Sequence, residues 1–363
     1  MITASDAERR GTLKRASGAV LCRAAPSFLR FGSFELPARR GDMNVVRRLA
    51  DFCLRYLGPL LERPQSTGTL RADPQHPTEG LGKKYDSQVV WPRPEDGLVQ
   101  AADHEGKGHA GSKSDYLVLL VAIVEATARM VAGWQALGFC HGVLNTDNFT
   151  LLGLALDFGP CSFMEKYDPA WSPNDGDSAL RYTFQNQPDV SAWNCERLTE
   201  AFSSLVGVSG VAEANKAFSP AFDSTYTNHL QRKFGLTGME LGSGWVDALR
   251  DGGTPPCETK AELSSDAQFV WRFLRLMSTC ETDFTDTWRA LLDVPALSAV
   301  PKTTTPEGLE CCTRDGDGSE VTDGDALRPL ITVLRAAGVS SDRMRGWAEW
   351  TREYMARIDT QAS

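Results

Sequence analysis

No two of the nine cysteines stand in a C-x-x-C pair, and only five histidines accompany them. That absence excludes a zinc-finger ligand set and a thioredoxin-type redox motif, both of which need close, regular spacing. The thiols (Cys22, Cys53, Cys140, Cys161, Cys195, Cys257, Cys280, Cys311 and Cys312) are therefore expected to be free, and the adjacent pair Cys311 and Cys312 incidental. A surplus of positive charge is absent as well: 38 Lys and Arg face 47 Asp and Glu. A net charge of −9 gives no chain-wide attraction to nucleic acid or to an anionic bilayer. Long apolar runs are missing too: the most apolar stretch, Tyr116 to Val124, meets Glu125 and Arg129 at once. It falls short of the roughly 20 residues of a membrane span and reads as a core helix. The opening MITASDAERRGTLKRAS lacks the apolar segment of a secretory signal, and Arg10, Lys14 and Arg15 give only a faint organelle-targeting character. No internal repeat is visible. The expected partners thus include neither nucleic acid nor membrane, and a monomer is expected.

What is present is enough apolar material, 42% of 363 residues with nine tryptophans, for one large core or two moderate ones. Residues 18–36 start with a β-rich apolar stretch and lead into Asn44 to Tyr56, where Val45, Val46, Leu49, Phe52 and Cys53 recur at helical spacing. From about Glu62 to Ser114 the composition turns to Pro, Gly, His, Lys and Asp without a sustained period, as in a surface insertion. GKGHAGSKS (106–114) within it imitates a phosphate-binding loop, but Ser112 intervenes between Gly111 and Lys113 and no strand precedes it, so a solvated loop is expected. A long helix from Tyr116 to Leu137 follows, closed by Gly138 as C-cap. FTLLGLALDFG (149–159) then predicts a tight β-hairpin turning at Gly153, and helices are expected over Val190–Leu205, Ser265–Met277, Thr282–Leu292, Asp325–Ala337 and Asp342–Ile358. Residues 301–324 read as another polar loop.

The chemistry concentrates in HGVLNTDN, His141 to Asn148. A helix, this loop, a hairpin and then Asp-Phe-Gly follow one another as in the helical lobe of protein kinases. In that pattern His141, Val143 and Asn148 fall where a kinase has His, Asp and Asn, and Asp157 falls on the metal-binding aspartate. The amide oxygen of Asn148 and the carboxylate of Asp157 are hard ligands suited to Mg²⁺ or Mn²⁺ shared with phosphate oxygens. Val143 has no lone pair with which to accept a proton, so the usual kinase base is missing. Asp147 is the neighbouring acid. It either serves as a base for a nucleotide bound in another pose or caps the loop through backbone amides. His141 is expected to shape the loop through backbone hydrogen bonds. Asn174, Asp175 and Asp177 lack the full calcium-loop spacing and read as a solvated turn.

GFCHGVLNTDNFTLLGLALDFGPCSFMEKYDP (138–169), RYTFQNQPDVSAWN (181–194) and GAVLCRAAPSFLRFGSFE (18–35) together resemble the selenoprotein O family of protein adenylyltransferases, kinase-like proteins formerly classed as pseudokinases. Weaker similarity through FDSTYTNHLQRKFGL and TDFTDTWRALL extends the resemblance to about residue 300. It implies an α+β, protein-kinase-like fold and transfer of AMP from ATP to Ser, Thr or Tyr hydroxyls of proteins, with ATP flipped so that its α-phosphate faces the acceptor. By the same resemblance Asp147 is the proton acceptor, Asn148 and Asp157 hold Mg²⁺ or Mn²⁺, and Asp157, Arg23 and Arg30 contact the nucleotide. Gln185, Gln187, Pro188, Trp193 and Asn194 are expected to anchor and pack the loop. Only 22 residues precede Arg23, and Ser363 falls ahead of the family's C-terminal region, so the comparison implies a chain truncated at both ends. The expected organisation is an N-lobe remnant (1–61), an insertion (62–114) and a helical C-lobe (115–363). A silent binding module and an atypical kinase using Asp147 as base are the alternatives. Family members in eukaryotes are associated with mitochondria; otherwise a cytoplasmic location is expected.

Overall fold

The computed structural model describes residues 6–9, 12–15, 22–61, 111–242, 264–294 and 327–362. The chain divides into two compact units, Met1–Phe28 with Thr69–Lys107, and Leu29–Gly68 with Gly108–Ser363. In the first, strands β1 (Asp6–Arg9) and β2 (Thr12–Arg15) pair antiparallel in a tight hairpin. Arg23 belongs to this unit.

The second unit is mostly helical, and its axis is α4, Lys113–Leu137. Ser112 and Asp115 form a capping box at its start, each side chain accepting the other's backbone N–H, and Gly138 ends it at φ 70°. The helix thus begins three residues before the predicted Tyr116, and the serine and lysine of the loop-like GKGHAGSKS are its N-cap and first residue; residues 106–110 lie outside the described residues. By length and hydropathy α4 could cross a membrane. In this fold it is a core helix instead: Leu120, Ile123, Val124, Ala128 and Val131 are fully buried. Its polar residues are satisfied inside the protein, Thr127 Oγ1 donating to Ile123 O at 2.9 Å and Gln135 Nε2 to Phe184 O at 2.8 Å.

Before α4 come α1 (Gly32–Arg39), α2 (Met43–Tyr56), capped by the Asp42 carboxylate accepting from Val45 N, and the short α3 (Gly58–Leu61). After it, α5 (Gln187–Ala201), α6 (Ser203–Asn215) and α7 (Phe218–Phe234) pack against it. The single helix predicted over Val190–Leu205 is divided at Phe202, whose fully buried ring packs tilted against Phe34, centroids 4.8 Å apart. Helix α7 was not expected, although Phe218, Phe222, Tyr226, Leu230 and Phe234 repeat every four residues and all are buried.

Three further predicted helices are present as α8 (Ser265–Thr279), α9 (Phe284–Ala290, continued by a 3₁₀ turn to Asp293) and α11 (Ser341–Ala362), and α10 covers Arg328–Ala336 of the fourth. They close around aromatic rings: Trp350 lies 4.9 Å from Phe269, 4.7 Å from Phe273 and 5.2 Å from Tyr354. The predicted polar loop 301–324, Cys257, Cys311 and Cys312 lie outside the described residues, and the other six cysteines are free. Burial pushes the Cys53 and Cys140 thiols up to about 12, so they are unreactive packing groups.

Candidate functional site

The loop that leaves α4 is held by side-chain amides. Strand β3 (Phe139–Cys140) pairs with β4 (Ser162–Phe163), and between them the chain makes the loop and the hairpin. Gln187, fully buried at the start of α5, accepts from His141 N at 2.9 Å and donates to Phe139 O at 2.9 Å, standing in for one peptide group of a missing strand. Asn194, about two turns further along α5, donates to Leu144 O at 3.0 Å, and Asn174 donates to Gly142 O at 2.9 Å. Asn174 also opens the expected exposed turn, its carbonyl accepting from Asp177 N at 3.0 Å and its Oδ1 from Gly176 N at 3.0 Å, so the turn is tied to the loop through it. Asp177 likewise accepts from the amides of Arg181 (3.1 Å) and Tyr182 (2.7 Å). Buried polar groups satisfied in this way fix a single geometry, because each alternative leaves a donor or acceptor dry.

His141 is fully buried and lies 2.8 Å from Leu156 O through Nε2, while its Nδ1 accepts from Val143 N at 3.4 Å. A carbonyl can only accept, so Nε2 carries a proton. The ring ties the loop to the hairpin, as expected. That hairpin turns at Gly153 (φ 66°), with Phe149 opposite Ala155 and Thr150 N donating to Leu154 O at 3.0 Å. A Cβ on Gly153 would lie 2.6 Å from Ala126 O of α4, so glycine is required both by the turn and by the close approach of the helix.

The candidate ligands stand at the open end of the hairpin. Asn148 is buried; its Nδ2 donates to Val143 O at 2.9 Å, which leaves Oδ1 as the ligand-capable atom. Its carbonyl accepts from Leu156 N at 3.0 Å, and Asp157 follows directly, exposed and in the left-handed region at φ 52°. Such a conformation in a non-glycine residue costs free energy and is concentrated where a side chain must be aimed. Arg30 reaches the same carboxylate, Nη1 to Oδ2 at 3.3 Å, because residues 29–31 run antiparallel to 149–151: Arg30 bridges Thr150 and Phe31 N donates to Phe149 O. The pair is open to solvent and adds little stability.

Asp147 points elsewhere. The loop-capping role is taken by Asn145, whose Oδ1 accepts from Asp147 N at 3.1 Å. The Asp147 carboxylate lies over Gly32 at the start of α1, so close that a Cβ there would fall 2.1 Å from Oδ1. Gly32 is a site residue that spacing alone does not reveal. No ion pair to Asp147 is found among the described residues, and it is exposed. Structure thus brings Arg30, Asp147, Asn148 and Asp157 onto one loop-hairpin unit, while Arg23 lies in the other compact unit. Trp193, expected to pack, is instead 41% exposed beside Asp147.

All donors here are oxygens, which fits Mg²⁺ or Mn²⁺ and not a thiol-seeking metal. Among the described residues no three His, Cys, Asp or Glu side chains cluster tightly enough to hold an ion by themselves. The donor set suits a cation that completes its shell with phosphate oxygens and water.

Proteins named protein nucleotidyltransferase YdiU align with most of the chain. One from Xanthomonas campestris pv. campestris (strain 8004) is 33% identical over 285 residues, 78% of this chain and 42% of its own length. Another from Nitrosospira multiformis is 28% identical over 347 residues, 94% of this chain and 49% of its own. One from Shouchella clausii is 30% identical over 280 residues, 76% of this chain and 43% of its own. The chain therefore spans less than half the length of these relatives. A family model described as protein adenylyltransferase SelO matches residues 1–362, and the chain belongs to the SelO family.

Proposed function

We propose that this chain carries the catalytic loop of an ATP-dependent protein adenylyltransferase with a kinase-like helical lobe, moving AMP from ATP to a Ser, Thr or Tyr hydroxyl of a protein. The observation that supports it most is the division of labour on the loop. Val143 has no proton-accepting group, whereas the Asp147 carboxylate is exposed, is relieved of capping by Asn145 and is set against Gly32. Asn148 Oδ1 and the Asp157 carboxylate would hold Mg²⁺ or Mn²⁺, which supplies neutralisation of phosphate charge when bound. Arg30, already beside Asp157, would turn its guanidinium to phosphate oxygens, for which its planar fork is suited. Asp147 takes the proton of the acceptor hydroxyl. The hydroxyl oxygen then bonds to the α-phosphorus of ATP, the bond to the bridging oxygen breaks, and pyrophosphate leaves.

Labelled ATP tests the reading. Label from the α position should enter protein and label from the γ position should not. Transfer of γ label would favour an atypical kinase with Asp147 as base, and no transfer from either position would favour a silent binding module. Asp157→Ala should lower α-label transfer by about 100-fold or more, the scale of losing a group that stabilises transition-state charge. The fold should be unaffected, because the Arg30 pair it removes is solvent-exposed.

A further inference from the structure

Beside Asp147 a cavity of about 620 Å³ opens between α1, the loop 144–147 and the start of α5. Its lining combines Leu36 and Trp193, 53% and 41% exposed, with the charged groups Glu35, Arg39, Asp147 and Arg181. Two of these charges are already engaged: the Glu35 carboxylate accepts from the Thr146 hydroxyl at 2.7 Å and pairs with Arg39 one turn away. Arg181 is different. Its guanidinium carbon lies 4.8 Å from the Trp193 ring centroid and 5.9 Å from that of Tyr182. Asp177, four residues earlier, has both oxygens occupied by the backbone amides of Arg181 and Tyr182. Arg197, also over Trp193 at 5.1 Å, is paired with Glu196 and Glu200. Among the described residues Arg181 is thus the cation of this cavity with no carboxylate partner, its guanidinium over an indole and its N–H groups available to recognise a carboxylate.

We propose that this cavity seats an extended segment of the acceptor protein in which an acidic side chain flanks the hydroxyl-bearing residue. The flanking carboxylate pairs with Arg181, an apolar neighbour covers Trp193 and Leu36, and the hydroxyl reaches Asp147. The assignment rests on the transferase reading for the segment's role as acceptor, but its binding can be measured without transfer.

The experiment is fluorescence anisotropy, without nucleotide, of labelled Ser peptides that differ in one flanking residue, Glu, Gln or Lys. The protein should bind the Glu peptide about tenfold or more tighter than the Gln peptide, the worth of one charge-assisted hydrogen-bonded pair. Arg181→Gln should erase that preference, and Arg181→Glu should turn it toward the Lys peptide. Trp193→Ala should weaken all three peptides together. Equal affinity for the Glu and Gln peptides, no binding of any peptide, or an unchanged preference in both Arg181 variants would overturn the proposal. Failure of α-label transfer would overturn the transferase reading alone and leave the peptide preference standing.

Discussion

The loop-hairpin region around residues 139–157 and the aromatic bundle of α7 to α11 are held by different forces. In the bundle Phe234, Phe269, Phe273, Trp288, Trp347 and Trp350 pack ring against ring, and the contacts are non-directional and tolerant of small shifts. In the loop Gln187, Asn194, Asn174 and His141 each bind a named backbone atom, and a shift of one ångström breaks the bond. Apolar burial keeps the unit folded, while directional hydrogen bonds set where Asp147, Asn148 and Asp157 point.

Substitutions in the two regions should therefore separate stability from activity. The largest loss of stability is expected in the bundle. Trp350→Ala removes a side chain 2% exposed, stacked on Phe269 and donating Nε1 to Phe269 O at 3.1 Å. It should cost about 3–5 kcal/mol in denaturant unfolding, with α-label transfer per folded molecule unchanged. Next comes Gln187→Leu, which leaves the buried His141 N–H and Phe139 C=O unpaired. It should cost about 1–3 kcal/mol for each dry group and lower transfer as well. If it lowered stability alone, the loop's position would not depend on this bolt.

Gly32→Ala probes the loop more narrowly. The added methyl must displace Asp147 Oδ1, so transfer should fall at least about tenfold if a misplacement of that size matters as it does elsewhere. Unfolding should change by less than about 1 kcal/mol. Unaltered transfer would remove Asp147 as the base.

A gain of stability, not a loss, is expected at Lys233, at the end of α7. Its ammonium lies 4.4 Å from the Trp288 ring and 5.0 Å from that of Phe284, and burial lowers its pKa from 10.5 to about 8. The unfolded chain holds this proton more tightly than the folded one, so stability from this group is lowest below pH 8 and rises as the pH approaches 10.5. Contact of the ammonium with the two ring faces partly offsets the cost of burial. Lys233→Met should accordingly be more stable than the parent at pH 7, with the difference shrinking by pH 10.5. Melting curves of the two proteins across that range check it, and a difference that grows with pH would contradict it.

Local pattern carried much of this fold. Ser112, Asp115 and Gly138 bracket α4 by side-chain and backbone rules confined to one turn, and Gly153 marks the hairpin for similar reasons. Helix α7 is equally local, but its buried stripe is mainly aromatic and spaced by polar residues, Asp223, Ser224, Thr225 and Asn228 among them, which blurs its period. The site was legible as residue types in order: Asp147, Asn148 and Asp157 stand out through the spacing of HGVLNTDN and the hairpin that follows. What holds them was not legible. Gln187 meets His141 across 46 residues, Arg30 meets Asp157 across 127, and the approach of Gly32 to Asp147 exists only once α1 is folded onto the loop. Long-range pairings of this kind leave no period in the sequence.

The proposed transfer requires an ion between Asn148 and Asp157 and an α-phosphate turned toward Asp147. Crystals grown with Mn²⁺ and a non-hydrolysable ATP analogue measure it directly through the anomalous signal of manganese. A peak touching Asn148 Oδ1 and the Asp157 carboxylate, with the α-phosphate nearest Asp147, is expected. Manganese bound away from both side chains, or the γ-phosphate facing Asp147, would contradict it.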